Sequence, residues 1–353
     1  MTSRFPLILI VAFSFLFFSF VYATGTGSVF LSFGEVFESI FSCGPNTDAC
    51  AVDEIHQKII WELRLPRVLM AFLTGVGLSI TGAILQSVTR NPLADPYLFG
   101  ISSGAALGAV IVIASISGAV ISITVGALLG GIFSVVLMLA LAGRASVQVE
   151  RLLLSGVAVS FMLSSFTSLI IYYSEPDTAG RLLFWLMGSF SNSQWDQLLL
   201  PSITTTVGLL LFIIYRKWIT AIQAGDEGAF TLGVPVNKLR LAMLVVGSMI
   251  TAVLVAQVGG IGFVGLMIPH ICRYLIGTQL HQVLIMCVLV GGSFMIWVDV
   301  IARTVLTEQV IPVGIVTSAI GSFFFFIVLK TKNDMRKTTV SEFNIKRCKN
   351  TGK

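Results

Sequence analysis

The chain has 353 residues, of which 56% are hydrophobic and 11% are charged, with a formal net charge of +5. Ordinary soluble domains carry about 25% charged residues, so this chain cannot cover a water-facing surface, and a soluble enzyme is excluded. The composition is that of an all-α polytopic membrane protein, whose positive charge belongs to topology and lipid headgroups and gives no reason to invoke nucleic acid.

Ten apolar stretches approach the roughly 20 residues that cross about 30 Å of hydrocarbon. They lie near 5–23, 66–88, 96–115, 119–142, 152–173, 197–217, 239–257, 261–276, 282–302 and 311–330. Those near 96–115 and 261–276 are the weakest, being short or rich in glycine and serine. The first, apolar with one basic residue before it, reads as a span or as a secretory signal. No clean small-residue cleavage site follows it, and the orientation of the rest is the same either way.

An outer loop spans 24–65. Within it, Glu35, Glu38, Asp53 and Glu54 among apolar residues predict a short surface helix over part of 32–62. Cys43 and Cys50 also lie there, paired or unpaired in an oxidising periplasm. Cys272, Cys287 and Cys348 belong to spans or to the tail and are expected to stay reduced.

Arg64-Leu-Pro-Arg67 then opens the second span, Pro66 being suited to a first helical turn. Positive charge at a helix N-terminus opposes the macrodipole at a cost of about 0.3–1 kcal/mol each, so these arginines call for another reason to be there. On the far side, Asn91-Pro92-Leu93-Ala94-Asp95-Pro96 ends one helix and starts the next, with Asp95 as N-cap and Pro96 at the first helical position. Gly100, Gly104 and Gly108 recur every four residues, so a neighbouring helix can approach closely along that face. Packing is their first reading and pore lining the second.

The segment 218–238 is a long polar stretch in which Gly225, Asp226 and Glu227 precede Ala229 and Leu232-Gly233-Val-Pro235. It predicts a short cytoplasmic helix followed by a tight turn. Further on, Gly259-Gly260-Ile-Gly262-Phe263-Val-Gly265 is a sharp turn running into a helix that Pro269 interrupts, freeing backbone groups that neighbours must satisfy. His270 follows inside the span. An intramembrane histidine is a functional candidate by default, set against a hydrogen-bonded structural role. No second histidine, thiol or carboxylate stands at ligand spacing beside it, so no metal site is assigned. Asp299-Val-Ile-Ala-Arg303 places an acid and a base one turn apart at the outer end of the ninth span. Ile311-Pro-Val-Gly314 opens the tenth.

Orientation follows from the basic residues. With ten spans and an inside N-terminus, 17 of the 22 fall on the cytoplasmic side, eight of them from Lys330 to Lys353. The outer side holds Lys58, Arg64, Arg67, Arg181 and Arg303. Both termini are therefore expected in the cytoplasm of a multi-pass inner-membrane protein.

The strings Arg64–Arg67, Thr81-Gly-Ala-Ile-Leu-Gln86 with Asn91–Pro96, Leu232–Pro235, Gly259–His270 and Ile311–Gly321 occur in the order found in a known family. Over about residues 64–330 the chain resembles the permease subunit of FecCD-type (type II) ABC importers for ferric siderophores, haem and vitamin B12. The resemblance implies a single permease domain of about ten helices over 1–353, with a basic cytoplasmic tail at 331–353. It implies a second permease subunit, identical or related, two ABC ATPases that use ATP-Mg, and a periplasmic substrate-binding protein. It also implies that Arg64, Arg67 and Arg303 receive glutamates of that binding protein. The alternative for these three is interfacial snorkelling with an intrahelical Asp299–Arg303 pair. The segment around Gly225, Asp226, Glu227, Ala229, Leu232 and Gly233 would sit in a groove of the ATPase, against the alternative of an ordinary solvated loop. Spans 152–173 and 311–330 would line the route.

No Gly-x-x-x-x-Gly-Lys-Ser/Thr string occurs, so the chain carries no P-loop of its own. Protease and esterase motifs are also absent, and the expectation is a transport subunit with no enzyme activity and no cofactor bound to it. An ion-coupled secondary carrier is the alternative of another class, although such carriers show charged or broken midplane helices. A scaffold or receptor without transport is the third reading. Within the importer reading an iron chelate is favoured, with haem and vitamin B12 as alternatives.

Overall fold

The computed structural model describes residues 5–27, 29, 31–43, 52–115, 122–143, 149–306, 309–328 and 330. Cys50, Arg144 and the tail 331–353 lie outside the described residues, as do the readings made of them. Among the described residues, seven helices are long and apolar enough to span a membrane, and three shorter apolar helices accompany them, which together match the ten expected spans.

The first, α1 (Phe5–Gly25), is peripheral: only 11% of its apolar window is buried. The loop expected on the outer side then forms α2 (Phe33–Glu38), closed by a reciprocal cap in which Glu35 N–H donates to Ser32 Oγ (3.3 Å) and Ser32 N–H donates to Glu35 Oε2 (2.7 Å). Phe33, Phe37 and Phe41 stay exposed, spaced by four along α2 and the π-helical turn after it (Ser39–Cys43). Phe33 stacks on Phe18 of α1, and Tyr22 stacks on Trp297, an aromatic cluster of the kind that settles at a membrane–water boundary. Cys43 is disulfide-bonded.

The second span differs from its expected start. A helix begins at α3 (Glu54–Lys58), capped by Asp53, and passes through a π-helical turn (Ile59–Arg64) into α4 (Leu65–Thr89) without a break. Pro66 therefore lies within a 36-residue helix, and the widened turn ahead of it accommodates the proline. α4 is the central pillar, with 83% of its apolar window buried. α12 (Val236–Val258), α13 (Val264–Ile276) and α15 (Gly292–Thr304) pack around it.

The third span also differs. Pro96–Phe99 form a single 3-10 turn whose N-cap is Asp95, with Oδ1 accepting from Tyr97 N–H (2.8 Å). Gly100 then turns the chain at φ +76°, and α5 (Ile101–Ser115) begins after it. Gly100 is thus a turn residue, while Gly104 and Gly108 meet α6 (Ile123–Ala142). A Cβ on Gly108 would lie 2.0 Å from the carbonyl oxygen of Gly126, and one on Gly104 2.3 Å from that of Gly130. Two glycine pairs bring these backbones together, a partner face that the sequence reading had not located.

The remaining elements are α7 (Val149–Tyr173), the short outer α8 (Pro176–Leu186), α9 (Leu199–Ile214), α10 (Arg216–Ala224), α11 (Asp226–Thr231), α14 (Leu280–Met286) with a π-helical turn into α15, and a last helix α16 over 313–328. Pro269 does not break α13, which continues through it. Proline has no N–H for the carbonyl four residues back, and that carbonyl, Gly265 O, instead accepts from Gln86 Nε2 of α4 (3.0 Å). The other end of the Gln86 amide accepts from Arg273, so one side chain ties the first and last turns of α13 to the pillar.

Candidate functional site

The two segments singled out in the sequence occupy opposite ends of α4, named outer and inner for the orientation that the basic residues predict. At the outer end, Arg64, Arg67 and Arg303 line one cavity of about 410 Å³ together with Ser191, Ser193 and Gln309. The structure brings all three arginines together, although they come from the turn before α4, α4 itself and the end of α15.

Each is held by the chain's own oxygens. Arg64 is 6% exposed, and its guanidinium donates to the carbonyls of Thr24 (2.9 Å), Gly25 (2.7 Å) and Val29. Arg303 donates to those of Thr26 (3.0 Å) and Ala23 (2.6 Å). Those of Ala23, Thr24 and Gly25 belong to the last turn of α1, where a helix has no internal donors left, and those of Thr26 and Val29 follow it. The arginines therefore sit at the negative end of one helix dipole, where they are stabilised. The penalty expected for Arg64 falls away, because its own helix starts at Glu54.

Arg67 grips Asp299 with Nε at 2.8 and 3.1 Å from the two carboxylate oxygens, and its Nη2 lies 2.8 Å from Oδ1. Arg303 Nε stands 3.4 Å from Asp299 Oδ2, the i,i+4 pair read from the sequence. Asp299 is 1% exposed. Its link to Arg67, across 232 positions, was not foreseen: the signal was only a carboxylate beside an arginine. With Arg67 and Arg303 on Asp299 and Arg64 on backbone carbonyls, the three arginines of this cavity and the one carboxylate sum to a formal local charge of +2.

At the inner end, α10 and α11 are separated by Gly225, whose φ of +137° strongly favours glycine. Gly233 closes the segment at φ +78°. No atom would meet a Cβ at either position, so the constraint is conformational and not steric. Asp226 accepts from Arg240 Nη2 at 2.8 and 2.9 Å and stands 3.7 Å from Arg90. Arg240 also donates to Val88 O (2.9 Å) and Gln223 to Ser87 Oγ (2.7 Å), which ties the segment to the foot of α4. Ala229 is buried and Glu227 exposed.

Phe230 and Leu232 are each 75% exposed at this polar end of the protein. Leu232 was among the expected residues and Phe230 was not. An apolar pair in so polar a stretch is the signal that could have found it.

Among the other residues singled out, Asn91 Oδ1 accepts from Leu93 N–H (2.9 Å), fixing the turn with Pro92 exposed. His270 lies on an exposed face of α13 with its ring edge-on to Phe324 of α16, 5.9 Å between centroids.

Among the described residues, ten apolar helices with a cationic cavity at one end and an apolar knob beside an acidic turn at the other make a polytopic membrane protein. Residues 15–331 match the model of the FecCD transport family. The chain is 37% identical over 282 residues to the cobalamin import system permease protein BtuC of Halobacterium salinarum, covering 80% of this chain and 76% of that one. It is 34% identical to the Fe(3+)-citrate import system permease protein YfmD of Bacillus subtilis (83% and 92% covered). Identity is also 34% with the hemin transport system permease protein HmuU of Yersinia pestis (77% and 84% covered). A metal-chelate type ABC transporter solved in an inward-facing conformation superposes with a TM-score of 0.79 at 28% identity, over 92% of this chain and 99% of that one. The chain belongs to the FecCD transport family of ABC importer permeases.

Proposed function

We propose that the chain is the membrane subunit of an ATP-driven importer that passes an iron chelate from a periplasmic binding protein to the cytoplasm by alternating access. Two copies, or this chain and a related one, would enclose the route, with two ABC ATPases beneath them supplying the energy from ATP-Mg. Family membership supports the importer class. Relatives named for Fe(3+)-citrate, hemin and cobalamin keep haem and vitamin B12 as alternatives to the iron chelate.

The observation that carries the reading is the exposed Phe230–Leu232 pair on a segment anchored to α4 through Asp226, Arg240 and Gln223. A partner seated on that pair would push on the pillar itself. At the other end, the cationic cavity of Arg64, Arg67 and Arg303 would receive acidic side chains of the binding protein. Arg64 would act there mainly through its field and Arg67 through its more open edge, since rim charges steer encounter and orientation.

Co-purification from native membranes with a C-terminal tag tests the reading. Recovery of a P-loop ATPase that is lost when 226–233 is altered is the expected outcome. Recovery of the chain alone, moving substrate in vesicles without ATP, would replace the importer by an ion-coupled carrier.

A further inference from the structure

A second cavity on the outer face, of about 690 Å³, lies among α8, the loop after it, the start of α6 and the end of α12. Its volume is within the range of small-molecule sites. It adjoins the cavity of the three arginines, since Ser191 lines both.

Its chemistry is one-sided. Arg181 of α8 projects a guanidinium whose one hydrogen bond among the described residues goes to Thr178 Oγ1 at 3.4 Å. It differs in this from Lys58, Arg67 and Arg303, each of which meets a carboxylate. Ile123 and Thr124 line the same cavity as the first residues of α6, a 20-residue helix capped by Ser122. Helix-opening N–H groups have no partner within the helix and carry the positive end of its dipole. No carboxylate is among the lining residues.

Gln257 supplies an independent sign. Its Oε1 is buried without a donor, whereas the neighbouring carbonyls at the end of α12 are satisfied, Val255 O by Gly259 N–H and Val258 O by Ser189 N–H. An unmet buried acceptor calls for a hydrogen-bond donor arriving from outside. Trp185 and Phe184 add flat apolar surface. A ligand that satisfies all of these has anionic oxygens for Arg181 and the α6 terminus, a hydroxyl, amide or bound water for Gln257, and a face to lie on an aromatic ring.

We propose that this cavity is an entry subsite for an anionic, oxygen-rich metal chelate, with Arg181 as its specificity-determining residue. It rests on the importer reading and adds where cargo leaving the arginine rim is first held. It also selects among cargoes: an anionic chelate gains from Arg181 and an uncharged one does not. A lipid headgroup phosphate offers the same anionic oxygens at this membrane face, so the test must separate the two sources.

The test uses the permease with its ATPase and binding protein in phosphatidylcholine nanodiscs, with and without phosphatidylglycerol. Ferric citrate is the anionic probe and ferrichrome the uncharged one, read by quenching of Trp185 fluorescence, with Trp185→Phe as the blank. Saturable quenching by ferric citrate is expected, weakened about tenfold in Arg181→Gln, as loss of a charge-assisted hydrogen bond implies. Arg181→Lys should recover part of it, and salt should weaken the wild type but not Arg181→Gln. Ferrichrome should be indifferent to the substitution. Equal quenching by ferric citrate in wild type and Arg181→Gln overturns the proposal. So does a phosphatidylglycerol molecule retained by the wild type, lost from Arg181→Gln and not displaced by ferric citrate. ATP hydrolysis stimulated by the binding protein is measured on the wild-type sample without chelate. Its absence from the wild type would overturn the importer reading and this one with it, whereas equal quenching overturns the subsite alone.

Discussion

The two ends of the central helix carry the same device in different surroundings. At the outer end Asp299 stands between Arg67 and Arg303; at the inner end Asp226 stands between Arg240 and Arg90. The Asp299 side chain is 1% exposed and that of Asp226 is 40% exposed. Burial raises the cost of an unpaired charge far more than it raises the gain from a pair. The outer triad therefore acts as a clamp fastening α1, α4 and α15, and the inner one as a screened tether that leaves a short helix free to respond to a partner.

Replacing the carboxylate at each end tests that difference. Asp299→Asn removes the counter-charge from two guanidiniums that have little access to water, and a loss of about 3–5 kcal/mol is expected. Thermal or denaturant unfolding in detergent reads it. Combining Asp299→Asn with Arg67→Met should restore part of the loss, because the unpaired charge is what costs. An Asp299→Asn protein as stable as the wild type would remove the clamp.

The next largest effect belongs to the inner end and leaves stability alone. Phe230→Ala with Leu232→Ala deletes two exposed side chains, so the unfolding midpoint should stay put. Their loss from an interface should weaken association with the ATPase by about 2 kcal/mol, roughly thirtyfold. Binding of the purified ATPase to immobilised permease measures this, and unchanged binding would mean that the apolar pair faces something else. Asp226→Asn comes third. Asp226 and Arg90 are open to solvent while Arg240 is buried; because Arg240 keeps its bond to Val88 O, a loss of about 1 kcal/mol is expected, shrinking as salt rises. An effect as large as that of Asp299→Asn would erase the contrast between the ends.

How much of this was readable in advance follows the range of the interaction. The ten spans, the short helix after Gly225 and the cap at Asp95 rest on local composition and turn chemistry, and they are found where the residues place them except for the starts of the second and third spans. Gly104 and Gly108 announced a close contact, but a glycine does not name its partner, so Gly126 and Gly130 became visible only in the fold. Likewise Pro269 signalled a freed carbonyl, yet nothing local pointed to Gln86, 179 positions from Gly265, as its donor. The helix that begins at Glu54 was missed because Pro66 reads as a start, whereas the widened turn ahead of it depends on packing and not on propensity. In the sequence Arg64 is legible as a charge and, through the family resemblance, as a docking residue. Its contacts with the end of α1 are made across 39 and 40 positions, beyond any periodicity argument.

The smallest effect sharpens the outer end only. Glu35 accepts from the Ser32 hydroxyl and N–H and meets His56 Nδ1 at 3.1 Å. The Ser32 side chain, then its N–H, then His56 hold the Glu35 carboxyl below the ordinary glutamate value. A lowered folded pKa makes the contribution fully present above the ordinary value of about 4.3 and lost as pH falls through the lower folded one. Amide protection over 33–38, corrected for intrinsic exchange, should therefore hold at neutral pH and fall in acid below about pH 4, while α5 amides serve as reference. Glu35→Gln should lower protection at neutral pH and flatten the profile, since the amide cannot titrate. Identical profiles in the two proteins would mean that tertiary contact through Val36, fully buried on the other face of α2, holds this helix and that its cap does not.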